Sequence, residues 1–196
     1  MTNLESKITP KHYHLRLQPD PERLDFSAIV TLQAVAEQSV DVIELDALDL
    51  AVWSCRVRTD EKWSTCRFCV DPALEKIRLD LPEKTFGEIE IQIDYYGRIN
   101  SQMAGFYHST YRHSNGSEKI AVTQFQESDA RRAIACMDHP LYKADFTIEM
   151  IVDRDMTAIS NMPAASETQE PDGQKRVTFD TTPVMSTYLV FFGMGR

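Results

Sequence analysis

The sequence predicts an all-β fold, a large antiparallel β-sheet or a β-sandwich, with one short helix near residues 128–138. Three observations support this prediction. Apolar and polar residues alternate along many short segments, turn residues separate these segments, and the segments recur about every 8–12 residues. Alternation with a period of two is typical of antiparallel strands that bury one face and expose the other. The chain has 196 residues, a length that suits one large β domain or two small ones.

Alternating segments define the expected strands. In residues 12–18, Tyr13, Leu15 and Leu17 form one face, and histidine and arginine side chains form the other. The same pattern runs through the other main strand candidates, which are residues 26–36, 41–58, 75–82 and 87–97. The second of these divides into two strands near Asp46, and the third ends at Pro82. Each segment is therefore expected to place one face in a core.

Turn chemistry separates the strands and predicts two tight hairpins. Residues 114–117, "SNGS", are expected to join strands at 105–112 and 118–125. Residues 170–173, "EPDG", are expected to join strands at 156–162 and 175–181. Proline presets φ in such turns, and glycine and asparagine accept positive φ. The polar stretch 164–174 is expected to be a mobile loop.

A single helix is predicted, in the segment "SDARRAIAC". Ser128 or Asp129 can cap it, and the alanine and arginine residues that follow tolerate a helix well. The helix should end near Asp138, because Pro140 disfavours helical backbone at the residue before it. Its arginines, Arg131 and Arg132, are expected to pair with Asp138 or Glu127 in a structural role.

Composition excludes some classes of function. The net charge is −9, from 30 acidic and 21 basic side chains, and a surface this negative repels phosphate backbones, so no nucleic-acid partner is expected. The longest apolar run, residues 188–194, is far shorter than the roughly 20 residues of a spanning helix, so no membrane partner is expected. The N-terminal residues lack the basic and apolar blocks of a secretory signal, which favours a cytoplasmic location.

Cysteine and histidine residues offer weak metal-site candidates. Cys66 and Cys69 form a C-x-x-C pair, but a zinc site needs a second pair or a nearby Cys and His. Ordinary packed thiols are the favoured interpretation, and a three-cysteine metal site with Cys55 is the alternative. His12 and His14 share a strand face, and without a third ligand we expect solvated histidines.

Sequence motifs of catalysis are mostly absent. The chain contains no H-E-x-x-H, G-x-S-x-G, P-loop or G-x-G-x-x-G motif. Cys136 and His139 have the residue types of a nucleophile and its base. No clear third group orients the imidazole, so a structural role is the better interpretation.

A series of short motifs nevertheless runs in a fixed order along the chain. The series comprises Gly105, Tyr107, Ser109 and Tyr111, then "TQFQESDARR" from Thr123, "CMDHP" from Cys136, "KADF" from Lys143, "SNMP" from Ser160 and "MSTYLVFF" from Met185. Together with the opening "ITPKHYHLRLQPD", it resembles the N-terminal domain of the zinc aminopeptidases of the aminopeptidase N family. That family includes puromycin-sensitive aminopeptidase, the tricorn-interacting factors and leukotriene hydrolase. The resemblance covers essentially the whole chain, and the ordered set is specific although no single motif is.

The resemblance implies that residues 1–196 are one domain, the N-terminal domain of a larger enzyme, with the saddle-like all-β fold of such domains. In the family, the zinc helix and the G-x-M-E-N substrate loop lie in the next domain. The implied cofactor is therefore zinc in the full-length enzyme, with all ligands outside this chain and no cofactor in this domain. The implied partners are the catalytic domain of the same polypeptide and peptide substrates, and the domain alone is expected to be inactive.

Two glutamines are the candidate binding residues. As a strand, "VTQFQ" places Gln124 and Gln126 on one face and Phe125 on the other. From alternation alone, both are better explained as polar residues on a solvent face. A protonated peptide N-terminus only donates hydrogen bonds, however, and a glutamine carbonyl oxygen accepts them. Residues at the matching family positions hold the substrate's α-amine, so the resemblance implies this role for Gln124 and Gln126.

Two positions depart from the family pattern. The family usually has Glu at the position of Gln126, although the leukotriene hydrolase branch has Gln, and it usually has Glu at the position of His139. A carboxylate would bind the amine more tightly than a neutral acceptor, by about 1–2 kcal/mol. Gln126 therefore predicts a weaker hold on the amine, and His139 changes an expected structural turn.

Two main functional hypotheses follow. The first is a substrate-recognition and scaffold domain of a zinc metallo-aminopeptidase that removes N-terminal residues from peptides. The second is a free-standing β-sandwich that binds a partner without catalysis. An H-E-x-x-H motif in the reading frame beyond Arg196 would support the first hypothesis, and a stop codon there would support the second.

Overall fold

The computed structural model describes residues 7–59, 62–114 and 116–196. The described chain forms thirteen strands, which are β1 Ile8–Asp20, β2 Asp25–Asp46, β3 Ala51–Thr59, β4 Lys62–Thr65, β5 Arg67–Asp71, β6 Lys76–Arg98, β7 Gly105–His113, β8 Gly116–Gln124, β9 Asp145–Asp153, β10 Thr157–Ser160, β11 Ala164–Gln169, β12 Gln174–Phe179 and β13 Phe192–Gly195. Helical backbone in these residues is limited to the 3-10 segments Ala130–Arg132, Pro171–Gly173 and Thr187–Leu189. The predicted all-β class is confirmed.

Nine strands form a large sheet in the order β11, β12, β9, β1, β2, β6, β3, β4, with β5 also paired to β6. Its strand pairs are antiparallel except β1 with β9, which run parallel from His12 opposite Asp145 to Leu17 opposite Met150. This parallel pair was not predicted. It arises because the chain enters the second sheet between β6 and β9, and such a crossover can return a strand in either direction.

Four strands form a second sheet in the order β10, β13, β8, β7. Aromatic rings fill the space between the two sheets. Phe26 of the large sheet packs against Phe106 of the second, with ring centroids 5.4 Å apart, and Phe106 packs against Phe192 at 5.2 Å. Tyr13 and the leucines that alternate with it in β1 are fully buried, as their spacing predicts.

Two strand predictions were wrong in detail. Strand β6 continues through Pro82. Its pairing with β2 shifts register between Val42 opposite Asp80 and Val40 opposite Thr85, and a proline is tolerated where a ladder is interrupted in this way. The "EPDG" turn joins β11 to β12, so residues 164–169 of the predicted loop form a strand. Residues 157–160 pair instead with β13 in the second sheet.

The predicted helix at 128–138 was also wrong, because only the 3-10 segment Ala130–Arg132 forms. Distant parts of the chain form hydrogen bonds with the backbone groups that would otherwise pair within a helix. Leu48 N donates to Arg131 O, and the Tyr95 hydroxyl donates to Ala133 O. Cys136 exchanges two backbone hydrogen bonds with Asp46. Tertiary pairing thus satisfies these groups and replaces the helix ladder.

The "SNGS" hairpin is confirmed by the continuous antiparallel pairing of β7 with β8, from Gly105 opposite Gln124 to His113 opposite Gly116. Asn115 itself lies outside the described residues. Within the described part of the chain, no helix has the length and apolar character needed to cross a membrane.

Candidate functional site

Gln124 is the last residue of β8 and lies on the outer face of the second sheet. Its neighbours Thr123 and Phe125 are both buried, and Gln124 itself is exposed. Phe125 packs on Phe192 with ring centroids 5.9 Å apart, and Thr123 Oγ1 accepts a 3.0 Å hydrogen bond from Phe192 N. The inward side chains therefore anchor the strand and fix the outward direction of Gln124.

Gln126 lies just beyond β8, in a turn and not in the strand that the sequence predicted. Asp129 N donates to Phe125 O at 3.0 Å and closes this turn. Gln126 is exposed, as Gln124 is. Neither carboxamide hydrogen-bonds to another described residue, so both remain available to a ligand or to another part of a longer chain.

Gln124 shares its face with apolar residues that the sequence analysis did not single out. The strand registers align Tyr107, Val122, Gly193 and Ile159 in one row across the four strands, and residues aligned in this way point to the same face. Ile159 is 50% exposed. The alternation of β8 held a signal for this face, because Ile120, Val122 and Gln124 are spaced two apart.

Two glycines flatten the centre of this face. A Cβ atom on Gly193 would lie 2.9 Å from Val122 Cγ1, and one on Gly195 would lie 2.6 Å from Ile120 Cγ2. The β8 side chains therefore lie across β13 in space that only glycine leaves open. The result is a smooth, partly apolar surface beside Gln124.

A buried group of charges holds the segment that follows Gln126. Arg131 Nε lies 3.1 Å from Asp138 Oδ2, and Arg131 Nη1 lies 2.9 Å from Glu75 Oε2. Asp138 also accepts a hydrogen bond from Thr187 Oγ1 at 2.7 Å, and its backbone N donates to Asp46 Oδ2 at 2.8 Å. We call Asp46, Arg131, Asp138 and Thr187 the buried bracket.

The bracket confirms the predicted partner of Arg131 and raises the pKa of that residue. Arg131 pairs with Asp138, as predicted, and not with Glu127. Arg132 pairs with Asp129 and Asp49. Burial alone would lower the pKa of Arg131, but the hydrogen bond and charge of Asp138 outweigh it and raise that pKa. Arg131 is therefore a permanent positive charge in this bracket.

Cys136 and His139 are not arranged as a nucleophile and its base. Cys136 is fully buried, and burial raises the pKa of its thiol well above the ordinary value, so it stays protonated and weakly reactive. His139 Nδ1 accepts a hydrogen bond from Leu141 N at 3.3 Å. Both residues have structural partners, in agreement with the interpretation from sequence.

The metal-site candidates do not assemble in the described residues. His12 Nδ1 lies 2.5 Å from Asp145 Oδ1, and His14 Nε2 lies 3.2 Å from Glu149 Oε1. Cys66 N donates to Cys55 O at 2.9 Å, so these two cysteines are neighbours, but Cys69 is exposed. In residues 7–59, 62–114 and 116–196, no three such side chains converge in a way that could hold a metal ion.

Comparison with known proteins gives the family. Residues 9–189 match the model of the Peptidase M1 N-terminal domain. The chain belongs to this family. It is 36% identical over 193 residues to the puromycin-sensitive aminopeptidase of Caenorhabditis elegans, covering 95% of this chain and 20% of that protein. It is 32% identical over 194 residues to aminopeptidase 2 of Candida albicans, covering 98% of this chain and 21% of that protein.

A third relative extends the same pattern. The alanine/arginine aminopeptidase of Saccharomyces cerevisiae is 32% identical over 196 residues, covering 96% of this chain and 22% of that protein. The chain thus spans about one fifth of the length of the relatives it matches. These relatives are aminopeptidases, and the resemblance found in the sequence is confirmed at the level of the family.

Proposed function

We propose that this chain is the N-terminal domain of a larger zinc aminopeptidase, in which Gln124 and Gln126 bind the free α-amine of a peptide substrate. The observation that carries the proposal is the pair of exposed carboxamides beside a buried Phe125. Neither amide hydrogen-bonds to a described residue. Membership of a family whose relatives are aminopeptidases supplies the reaction class.

The chemistry of the two amides suits an ammonium group. A protonated amine donates up to three hydrogen bonds and accepts none, and each carboxamide oxygen has two lone pairs. Hydrogen bonds to a charged group contribute more than neutral ones, about 1.5–3 kcal/mol each. Gln124 is fixed by its strand, whereas Gln126 lies in the adjoining turn, so Gln124 is the better-positioned acceptor.

The partly apolar face beside Gln124 is consistent with a site that another region of the polypeptide covers. Ile159, Val122 and the glycines of β13 form a partly apolar surface. Such surfaces are typical of interfaces between domains. We infer that the catalytic region of the longer polypeptide packs near this face and completes the site around the substrate amine.

The described residues of this chain offer no ligand set for a zinc ion, because no three metal-binding side chains converge there. We therefore assign this chain no step through a metal. Its proposed contribution is to bind and orient the peptide N-terminus and to support the catalytic region. On this proposal, the isolated chain does not cleave peptides.

The test is the substitution Gln124→Ala in the full-length polypeptide. Loss of one hydrogen bond to a charged amine should raise KM for peptides with a free N-terminus by about tenfold, with little change in kcat. Gln38→Ala is the matched control, since Gln38 is also exposed but lies in β2 of the large sheet. An unchanged KM in Gln124→Ala, or an equal rise in the control, would rule out the amine-binding role.

Two further expectations accompany this proposal. Reading the coding sequence beyond Arg196 for an H-E-x-x-H motif tests whether a catalytic region follows. The cytoplasmic location expected from the sequence stays a prediction, and cell fractionation would test it.

A further inference from the structure

A polar cleft lies where the end of β6 meets β7, and its β7 residue, His108, is on the opposite face of the second sheet from the row beside Gln124. Its volume is about 540 Å³, and its walls come from the β1–β2 turn, the end of β6 and the inner face of β7. The residues that carry the argument are Arg23, Asp25, Arg98, Asn100, Gln102 and His108. None of these residues belongs to the motifs that indicated the family.

Hydrogen-bond donors dominate the lining of this cleft. Arg23 and Arg98 are exposed, and Arg98 makes no ion pair with another described residue. Asp25 is the one carboxylate among the lining residues, and Arg23 Nε already pairs with Asp25 Oδ2 at 3.2 Å. The outer nitrogens of both guanidinium groups therefore remain available to an anion.

His108 lines the same cleft and has an unpaired polar atom in its ring. It lies two residues after the fully buried Phe106 and therefore shares the inner face of β7 with it. Its Nδ1 atom is buried and has no hydrogen-bond partner. Buried polar atoms in folded proteins almost always have a partner, so a bound group that reaches the imidazole would satisfy this one.

The walls of the cleft are fixed to one another. Ile99 N donates to Leu24 O at 2.8 Å and joins the end of β6 to the β1–β2 turn. His108 N donates to Asn100 O at 2.8 Å, and Gln102 N donates to Asn100 Oδ1 at 2.7 Å. Hydrogen bonds thus hold together the backbone segments that carry the cationic side chains, and less conformational entropy is lost when an anion binds.

We propose that this cleft binds a small oxyanion of the phosphate type, either free phosphate or a phosphate monoester. Two arginines and a histidine are the residue types that bind phosphate oxygens. The chain as a whole carries a net charge of −9. The cleft differs in charge from this acidic average, because it has two arginines and its one carboxylate is already paired. Binding here is independent of the proposed peptidase role.

The test is a titration of the protein with inorganic phosphate, followed by nitrogen-resolved NMR of the arginine side chains and the His108 ring. Sodium chloride at matched ionic strength is the reference. We expect saturable shifts of Arg98 Nε and His108, and binding weakened about tenfold in Arg98→Gln because one charged partner is lost. Arg23→Gln is the second variant, and both spectra report directly whether the variants are folded.

Arg78→Gln is the matched control. Arg78 lies on β6, as Arg98 does, and is exposed in a pair with Asp80 at 3.0 Å, but it does not line the cleft. Glycerol 2-phosphate in a parallel titration distinguishes the two sources: tighter binding than free phosphate indicates a monoester, and equal binding indicates free phosphate. Linear shifts without saturation, equal shifts with chloride, or equal weakening by Arg78→Gln would overturn the proposal.

Discussion

Two regions of this protein carry groups of opposite charges, and water reaches them to different degrees. In the buried bracket, the side chain of Asp138 is 1% exposed and that of Arg131 is 17% exposed. On the outer face of the large sheet, Arg16 is 40% and Glu149 12% exposed in their pair, and His12 is 25% and Asp145 34% exposed in theirs, so each pair has a partner that water reaches more than it reaches the bracket. Screening by water makes exposed pairs weak, whereas a buried charge depends strongly on its partner.

The difference indicates what each region does. The bracket joins the end of β2, the segment after Gln126 and Thr187 near the C-terminus. It therefore fixes the backbone of the segment that follows Gln126. The outer face of the large sheet is only partly exposed, and screening at its exposed partners makes these pairs contribute less to stability than the bracket does.

The largest expected effect comes from breaking the bracket with Asp138→Ala. This change removes the buried acceptor of Arg131 and Thr187, while Arg131 keeps its pairs with Glu75 and Asp46. We expect a loss of about 3 kcal/mol in the free energy of unfolding. Urea denaturation measures it. The control is Asp80→Ala, because the Arg78–Asp80 pair is about half exposed and its loss should cost less than about 1 kcal/mol. Equal losses in the two variants would show that burial does not separate the two regions.

The comparison also separates what the sequence could predict from what it could not. Strands with strict alternation, such as residues 12–18, were predicted with the correct buried face. The segment after Gln126 was not, because its helix-forming residues are overridden by hydrogen bonds from Leu48, Tyr95 and Asp46. Those donors lie 38 or more residues away from the groups they contact, and no local pattern in the sequence encodes such contacts.

The candidate site also has features that the sequence predicted and features that it missed. Alternation placed Gln124 on an exposed face, opposite the buried Phe125. The break in the strand before Gln126 and the partly apolar row with Ile159 were missed, because both depend on which strands pair. Strand pairing between β10, β13 and β8 joins residues that are far apart in sequence, and turn signals do not determine it.

An intermediate effect is expected from Gly193→Ala on the face beside Gln124. A glycine-to-alanine change in a strand is normally favourable, but here the new Cβ would lie 2.9 Å from Val122 Cγ1 and 3.1 Å from Ala121 O. We expect a loss of about 1–2 kcal/mol from overpacking, measured by urea denaturation. Ala51→Val, on the exposed start of β3, is the control and should change stability little. A stabilised Gly193→Ala variant would show that the face has room that the structure does not indicate.

The smallest expected effect concerns Glu149 on the outer face of the large sheet. Partial burial would raise its pKa, but the hydrogen bond from Arg16 Nε at 2.8 Å and the nearby positive charges outweigh this and lower the pKa. A carboxyl group whose pKa is lowered in the folded state stabilises the fold above its unfolded pKa, about 4.3. That contribution is lost as pH falls through the lowered folded value.

Glu149→Gln should therefore be less stable than the unmodified protein at pH 7, by less than about 1 kcal/mol because the pair with Arg16 is partly exposed. The difference should shrink as the pH falls below about 4.3. Urea denaturation of both proteins across this range measures the difference, and Glu44→Gln is the control, since Glu44 is exposed on β2. A difference that grows toward acid pH would reverse the sign of the linkage. It would mean that the fold stabilises Glu149 in its neutral form.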